Sequence, residues 1–235
     1  MKGHLEVIQQ LEADIEVADA RGRTSLHLAV MHNKDDVVQK LIELSADMDK
    51  TDMYGETALL LALRLDKPEI AEKLLQAGAD PNAHGESSST ALDFVVAREN
   101  VDLGCCNVIR ELLECEDASK AINCAAADGG TPLHRAVADV DQETVDMLLE
   151  AGANPNLTDD NGGTPLHGVF QKASSFISRR SRLSASGLDL AMRNMAKALV
   201  EKGADPRARN KLGQTPTDLA EEQGLTALGE YLLSV

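Results

Sequence analysis

Apolar pairs recur along this chain, each just ahead of a turn of small residues. Leu41-Ile42, Leu74-Leu75, Leu148-Leu149 and Leu199-Val200 precede Ser45-Ala46, Gly78-Ala79, Gly152-Ala153 and Gly203-Ala204. Ahead of these pairs stands a second signature, opened by threonine and centred on an apolar residue. It reads Thr24-Ser25-Leu26-His27, Thr57-Ala58-Leu59-Leu60, Thr90-Ala91-Leu92-Asp93, Thr131-Pro132-Leu133-His134 and Thr164-Pro165-Leu166-His167, and a sixth time Thr215-Pro216-Thr217-Asp218. The leading threonines are 33, 33, 41, 33 and 51 residues apart. Two long intervals among identical short ones are what insertions into a repeat produce. Self-similarity at this period predicts stacked units of two short helices, none of which buries its apolar face alone.

The punctuation agrees. Gly78, Gly152 and Gly203 follow the second helix of a unit, where glycine supplies a left-handed residue at little steric cost. Pro132, Pro165 and Pro216 follow the threonine, at the first helical position, where a missing N–H costs nothing. Pro68 opens a second helix, and Pro81, Pro155 and Pro206 fall in connecting loops.

With these tetrads and turns the chain resembles an ankyrin-repeat protein over nearly its whole length. The resemblance implies an all-α ankyrin-repeat solenoid of stacked helix-turn-helix units joined by hairpin-like loops, elongated and curved. Residues 1–18 read as a partial repeat, with Leu5, Ile8 and Leu11 as a helical stripe and Gly3-His4 matching the start of a second helix. Repeats follow at 19–51, 52–84, 85–125, 126–158 and 159–209, and a capping repeat at 210–235. In the cap, Thr217 and Asp218 read as polar substitutions on an outer face, and a last helix near Thr226 to Leu233 should bury Leu228 and Leu232.

Two repeats depart from the period. In the third, Glu99 to Asn107 reads as a lengthened turn between the helices. In the fifth, an insertion around 173–190 is serine-rich and carries Arg179, Arg180 and Arg182. It reads as a tolerated surface loop, partly disordered, or as a regulated, partner-contacting element. Ser181 and Ser184 beside the arginines are candidates for phosphorylation.

Composition narrows the function classes. Hydrophobic content is 43% and aromatic content 2%, which suits short helices packed closely through Ala, Leu and Val. No apolar run approaches the roughly 20 residues that span a bilayer, and no charged-then-apolar signal peptide begins the chain. The net charge of −16 argues against nucleic acid and anionic membrane, whose binding needs lysine and arginine. Cys105, Cys106, Cys115 and Cys124 lack metal-ligand spacing and read as free thiols of a reducing, cytoplasmic compartment, with the nucleus open as well. There is no His-Glu-x-x-His, no phosphate-cradling glycine loop and no nucleophile elbow, so no catalytic residue, cofactor or metal is expected. The resemblance assigns His27, His134 and His167 to hydrogen bonds between neighbouring loops.

Function is therefore sought on surfaces. The resemblance implies recognition of a protein partner by the hairpin tips and by a concave face lined with the first helices. At the tips this selects Arg21, Arg23, Met53, Tyr54 and Glu56, with Asp128, Asp160 and Lys211. At the ends of the first helices it selects Met31, His32, Arg64, Leu65, Arg98, Gln171 and Lys172. Met31, Met53, Tyr54 and Leu65 are apolar where the frame tolerates polar groups, and Arg21, Arg23, Glu56 and Arg64 rim them, which marks a candidate hot spot. The expected protein is a non-catalytic interaction module that recruits or masks a partner, monomeric unless its N-terminal edge meets upstream sequence or another copy. The alternative is a targeting or regulatory region of a larger enzyme. A third reading, an inhibitor that masks a basic DNA-binding surface, rests on charge and family analogy.

Overall fold

The computed structural model describes residues 15–85, 90–96, 103–115, 121–171 and 185–233. The stripe at Leu5, Ile8 and Leu11, the candidates Arg98, Lys172, Ser181 and Ser184, and the arginines at 179, 180 and 182 lie outside them. The described residues form twelve helices and no strand. None of these helices is long and apolar enough to cross a membrane.

The chain divides into two compact units, Met1–Ala121 and Ile122–Val235. The first holds α1 (Ser25–Met31), α2 (Asp35–Glu43), α3 (Ala58–Arg64), α4 (Pro68–Gln76), α5 (Ala91–Val96) and α6 (Leu103–Glu114). Each short first helix packs on its own second helix and on the next first helix: α1 on α2 and α3, α3 on α4 and α5. The second helices form their own row, α2 on α4 and α4 on α6. The second unit holds α7 (Pro132–Ala138), α8 (Gln142–Glu150), α9 (Pro165–Gln171), α10 (Ala185–Glu201), α11 (Pro216–Glu222) and α12 (Thr226–Leu233). It repeats the scheme, with α9 against α7 and α11, α8 against α10, and α12 against α11.

The tetrad explains each first helix. Its threonine is extended at the N-cap; the Thr57 and Thr215 hydroxyls accept the N–H of Leu60 and Asp218. The leucine at the third position enters the core: Leu26, Leu59, Leu92, Leu133 and Leu166 are at most 1% exposed. Burying such a side chain contributes about 1.5–3 kcal/mol. Every second helix that ends in the small-residue turn closes it alike. Ala46, Ala79, Ala153 and Ala204 donate their N–H back to the carbonyls of Leu41, Leu74, Leu148 and Leu199. The residue before each alanine is left-handed, as expected at the three glycines; Ser45 takes the same conformation, with φ 61°.

Three expectations are corrected. The extra chain of the third repeat is not all turn, because α6 begins at Leu103, and 103–107 lengthen the second helix. The insertion of the fifth repeat likewise ends as helix. Residues 185–190 open α10, which runs 17 residues where α2, α4 and α8 run nine. Added chain at the start of a second helix satisfies its own backbone by continuing the helix. Thr217 does not face outward either. It occupies the leucine position of its tetrad, is 8% exposed, and its methyl lies beside Gly229 of α12. The last helix spans Thr226–Leu233, with Leu228 and Leu232 buried.

Candidate interaction surface

Four of the loop tips are each built on one side chain. Asp19 accepts the N–H of Arg21 and Arg23 at 2.8 and 3.0 Å, and Asp52 those of Tyr54 and Glu56 at 2.8 and 3.1 Å. Asp159 does the same for Asn161 and Gly163, and Asn210 for Leu212 and Gln214. A short carboxylate or amide that binds its own backbone two and four residues on fixes the tip without a sheet. These four residues were not among the sequence candidates. Their signal was present, since each stands five positions before the tetrad threonine.

Successive tips are joined through the backbone. Met53 donates its N–H to Arg21, Asp160 to Asp128 and Lys211 to Asn161, at 2.8, 3.1 and 2.9 Å. Close approach requires glycine at each of these joints. A Cβ on Gly22 would sit 3.1 Å from the Met53 nitrogen, one on Gly129 only 2.6 Å from that of Asp160, and one on Gly162 3.0 Å from that of Lys211. All three glycines are left-handed, with φ 75°, 73° and 73°.

The tetrad histidines tie first helix to next tip, as the resemblance implied. In each ring Nδ1 accepts the N–H of its own tetrad threonine, which leaves the proton on Nε2. Nε2 then donates to the next tip: His27 to the Glu56 carbonyl, His134 to that of Gly163, His167 to that of Gln214, at 3.0, 3.0 and 3.1 Å. Burial holds His134 and His167 below the usual histidine range, so the neutral, singly protonated ring is the favoured form.

Tip and helix end meet eight residues apart. Arg23 lays two guanidinium nitrogens on Asp19 at 2.9 and 2.6 Å, and a third reaches the Met31 sulfur at 3.3 Å. The Arg23 guanidinium holds the Asp19 carboxyl at about 2, and the same bond raises Arg23. Arg64, at the end of α3, forks onto Glu56 at 2.6 and 2.7 Å and is raised by that contact. Around these pairs the large apolar candidates stay in water: Met53 is 59%, Tyr54 46% and Leu65 36% exposed.

The sequence candidates thus separate by position. Arg21, His32, Met53, Tyr54, Arg64, Leu65 and Gln171 are exposed, whereas Arg23, Met31 and Glu56 are half-buried. Glu56 is held inside the tip, with its carboxylate on Arg64 and its carbonyl on His27. In the second unit Asp128 pairs with Arg135, Asp160 and Asn161 present a polar tip, and the tip at 210–214 carries Lys211 beside Leu212, which is 83% exposed. Among the described residues Cys106, Cys115 and Cys124 form no disulfide, and burial raises the Cys115 thiol. No group of three or more His, Cys, Asp or Glu among them is placed to hold a metal ion.

The family model for ankyrin repeats in three copies matches residues 1–84 and 88–174. The chain belongs to the ankyrin-repeat family. Among curated proteins it is similar to the tyrosine-protein kinase Shark of Drosophila melanogaster, 32% identical over 54% of this chain and 15% of the kinase. It is also similar to protein phosphatase 1 regulatory subunit 12A of Rattus norvegicus, 29% identical over 63% of this chain and 13% of that subunit. The chain therefore matches less than a sixth of either relative's length. An ankyrin-repeat domain from Acinetobacter baumannii shares the fold with a TM-score of 0.73 and 25% identity, over 89% of this chain and 96% of that one. Ankyrin repeats are protein-interaction modules, generally non-catalytic, and this chain is built as one.

Proposed function

We propose that this chain is a non-catalytic module that recruits or masks a protein partner inside the cell, through the tips and first-helix ends of its first two repeats. The observation that carries the reading is the exposure of Met53, Tyr54 and Leu65, three large apolar side chains in water on one tip and the end of the helix that follows it. Each is fixed at its base, the first two by the Asp52 tip and Leu65 as the residue that ends α3. Rigid aromatic and aliphatic groups lose little entropy on docking, which is why few residues carry most of an interface's energy.

Affinity capture with mass spectrometry tests this, comparing the wild-type chain with a Tyr54→Ala, Leu65→Ala double variant. A specific partner should be lost from the variant, because truncating a hot-spot residue costs about 2 kcal/mol or more. Capture of the same proteins in the same amounts by both would sink the assignment of this face. A second reading makes the chain a targeting region of a larger enzyme. The match to a segment of a kinase favours it, and catalytic sequence in the full-length gene product would establish it.

A further inference from the structure

We infer that the partner segment on this face is acidic and apolar: an extended stretch that sets a carboxylate on Arg64 and Arg21 and an aliphatic or aromatic side chain against Tyr54, Met53 and Leu65. This inference rests on the interaction reading above and adds the chemistry of the ligand. It follows from how the charges of the face are used. The tip carboxylates are occupied from within. Asp19 holds Arg23 and two backbone N–H groups, and Asp52 holds two more through Oδ1 alone. Both Glu56 oxygens lie on Arg64, and its side chain is only 12% exposed. Asp66, in the turn after α3, is exposed.

The cations are differently placed. Arg64 is 47% exposed and engages Glu56 through Nε and Nη2, so its Nη1 donates to nothing among the described residues. The Arg21 side chain makes no hydrogen bond among them either and stands in solvent at the first tip. Lys67 leans on the Asn33 side chain at 3.3 Å, beside the end of α1. A chain of net charge −16 thus carries here a face with two outward guanidiniums. A guanidinium already locked by a half-buried carboxylate loses little freedom when it binds a second anion, and charge-assisted bonds of this kind are the strong ones. A basic segment would instead meet these guanidiniums, with the Asp52 carboxylate as the tip acid left to answer it. The opposing effect is repulsion of an acidic ligand by the rest of the chain. Salt screens that beyond about 8 Å under physiological conditions, so contact chemistry decides.

The test is selection of random 12-residue peptides displayed on phage against the full chain, followed by fluorescence titration of the selected peptides. The expected peptides pair Asp or Glu with Leu, Phe or another large apolar residue. Their affinity should fall about tenfold or more in Arg64→Gln, and measurably in Arg21→Gln, a variant that removes no internal contact. Circular dichroism melts show that each variant is folded. Selected peptides rich in Lys or Arg, peptides indifferent to both arginine variants, or no enrichment over the bare support would overturn the inference. The two readings fail separately. Basic peptides that lose affinity in Tyr54→Ala, Leu65→Ala leave the face standing and remove its acidic ligand. Acidic peptides that keep full affinity in that double variant remove the face.

Discussion

The tips at 19–23 and 52–56 in the first unit, and those at 126–130 and 159–163 in the second, share one backbone scheme and carry different chemistry. In each, the residue five before the threonine donates its N–H to the carbonyl four residues on: Asp19 to Arg23, Asp52 to Glu56, Ala126 to Gly130, Asp159 to Gly163. Three of the four also brace the tip with a carboxylate, but Ala126 cannot. There Asp128 steps in, taking the Gly130 N–H at 3.1 Å. The second tip of the first unit exposes Met53 and Tyr54; the corresponding positions hold Asp160 and Asn161 in the tip at 159–163, and Lys211 and the exposed Leu212 in the tip at 210–214. What is shared is what the buried backbone demands, and what differs is free to serve a partner. A frame of this kind separates stability from specificity residue by residue.

The comparison breaks most sharply at the glycine joints. Gly129→Ala places a Cβ against the backbone of the next tip and strains a left-handed residue, and should cost about 2–3 kcal/mol in urea denaturation. Gly22→Ala, with more room, should cost less. Equal losses would mean that the two joints are not governed by clearance.

The histidine ties come next. His134→Ala removes one bond to the following tip and should cost about 1–3 kcal/mol at neutral pH. The acid dependence has a fixed sign. Burial lowers the folded-state pKa of His134 and His167, so the unfolded chain takes up protons that the native rings refuse. Stability from these groups is full above about 6.5 and is lost as pH falls below it toward the native value. Unfolding free energies at pH 7.5 and 5.0 should therefore differ less in a His134→Ala, His167→Ala double variant than in the wild type. An unchanged difference would remove the histidines from the acid response.

Smaller effects should raise stability. Ala126→Asp gives the weak tip the carboxylate that its counterparts use, and should add about 1 kcal/mol. Val140 is left-handed, with φ 56°, in the turn between α7 and α8, where the matching residues after α1 and α3 are Asn33 and Asp66. A β-branched residue resists that conformation. Val140→Asn should add roughly 0.5 kcal/mol, the relief being partly offset by the half-buried apolar contact it gives up. A lower melting temperature in either variant would show that side-chain packing outweighs backbone fit at that turn.

The period of the threonine tetrads made most of this architecture legible from residues alone. Helix starts, the left-handed turns at Gly78, Gly152 and Gly203, and the last helix near Thr226 to Leu233 all follow from local chemistry. The lengthened helices did not, because Ser186 and Gly187 read locally as loop residues, yet the helix runs through them. The candidate surface was legible as a set of odd apolar residues, Met53, Tyr54 and Leu65. That Glu56 turns inward to hold Arg64 was not, because it depends on a bond across eight residues between tip and helix end. The matching contact recurs as Gln214 on Glu222, so the spacing is a property of the repeat.

The His167 tie has a consequence for how the chain folds. His27 and His134 each reach a carbonyl 29 residues ahead, whereas His167 makes the same bond across 47. The geometry is conserved while the stretch of chain closed by the bond grows by more than half. Loop-closure entropy rises only with the logarithm of length, so the added cost is about 0.4 kcal/mol. The insertion is cheap at equilibrium, but it raises the sequence separation of this one junction, and rates fall as native contacts become less local. The junction between the fifth and sixth repeats should accordingly be the last in its unit to form, with zippering begun among the evenly spaced neighbours.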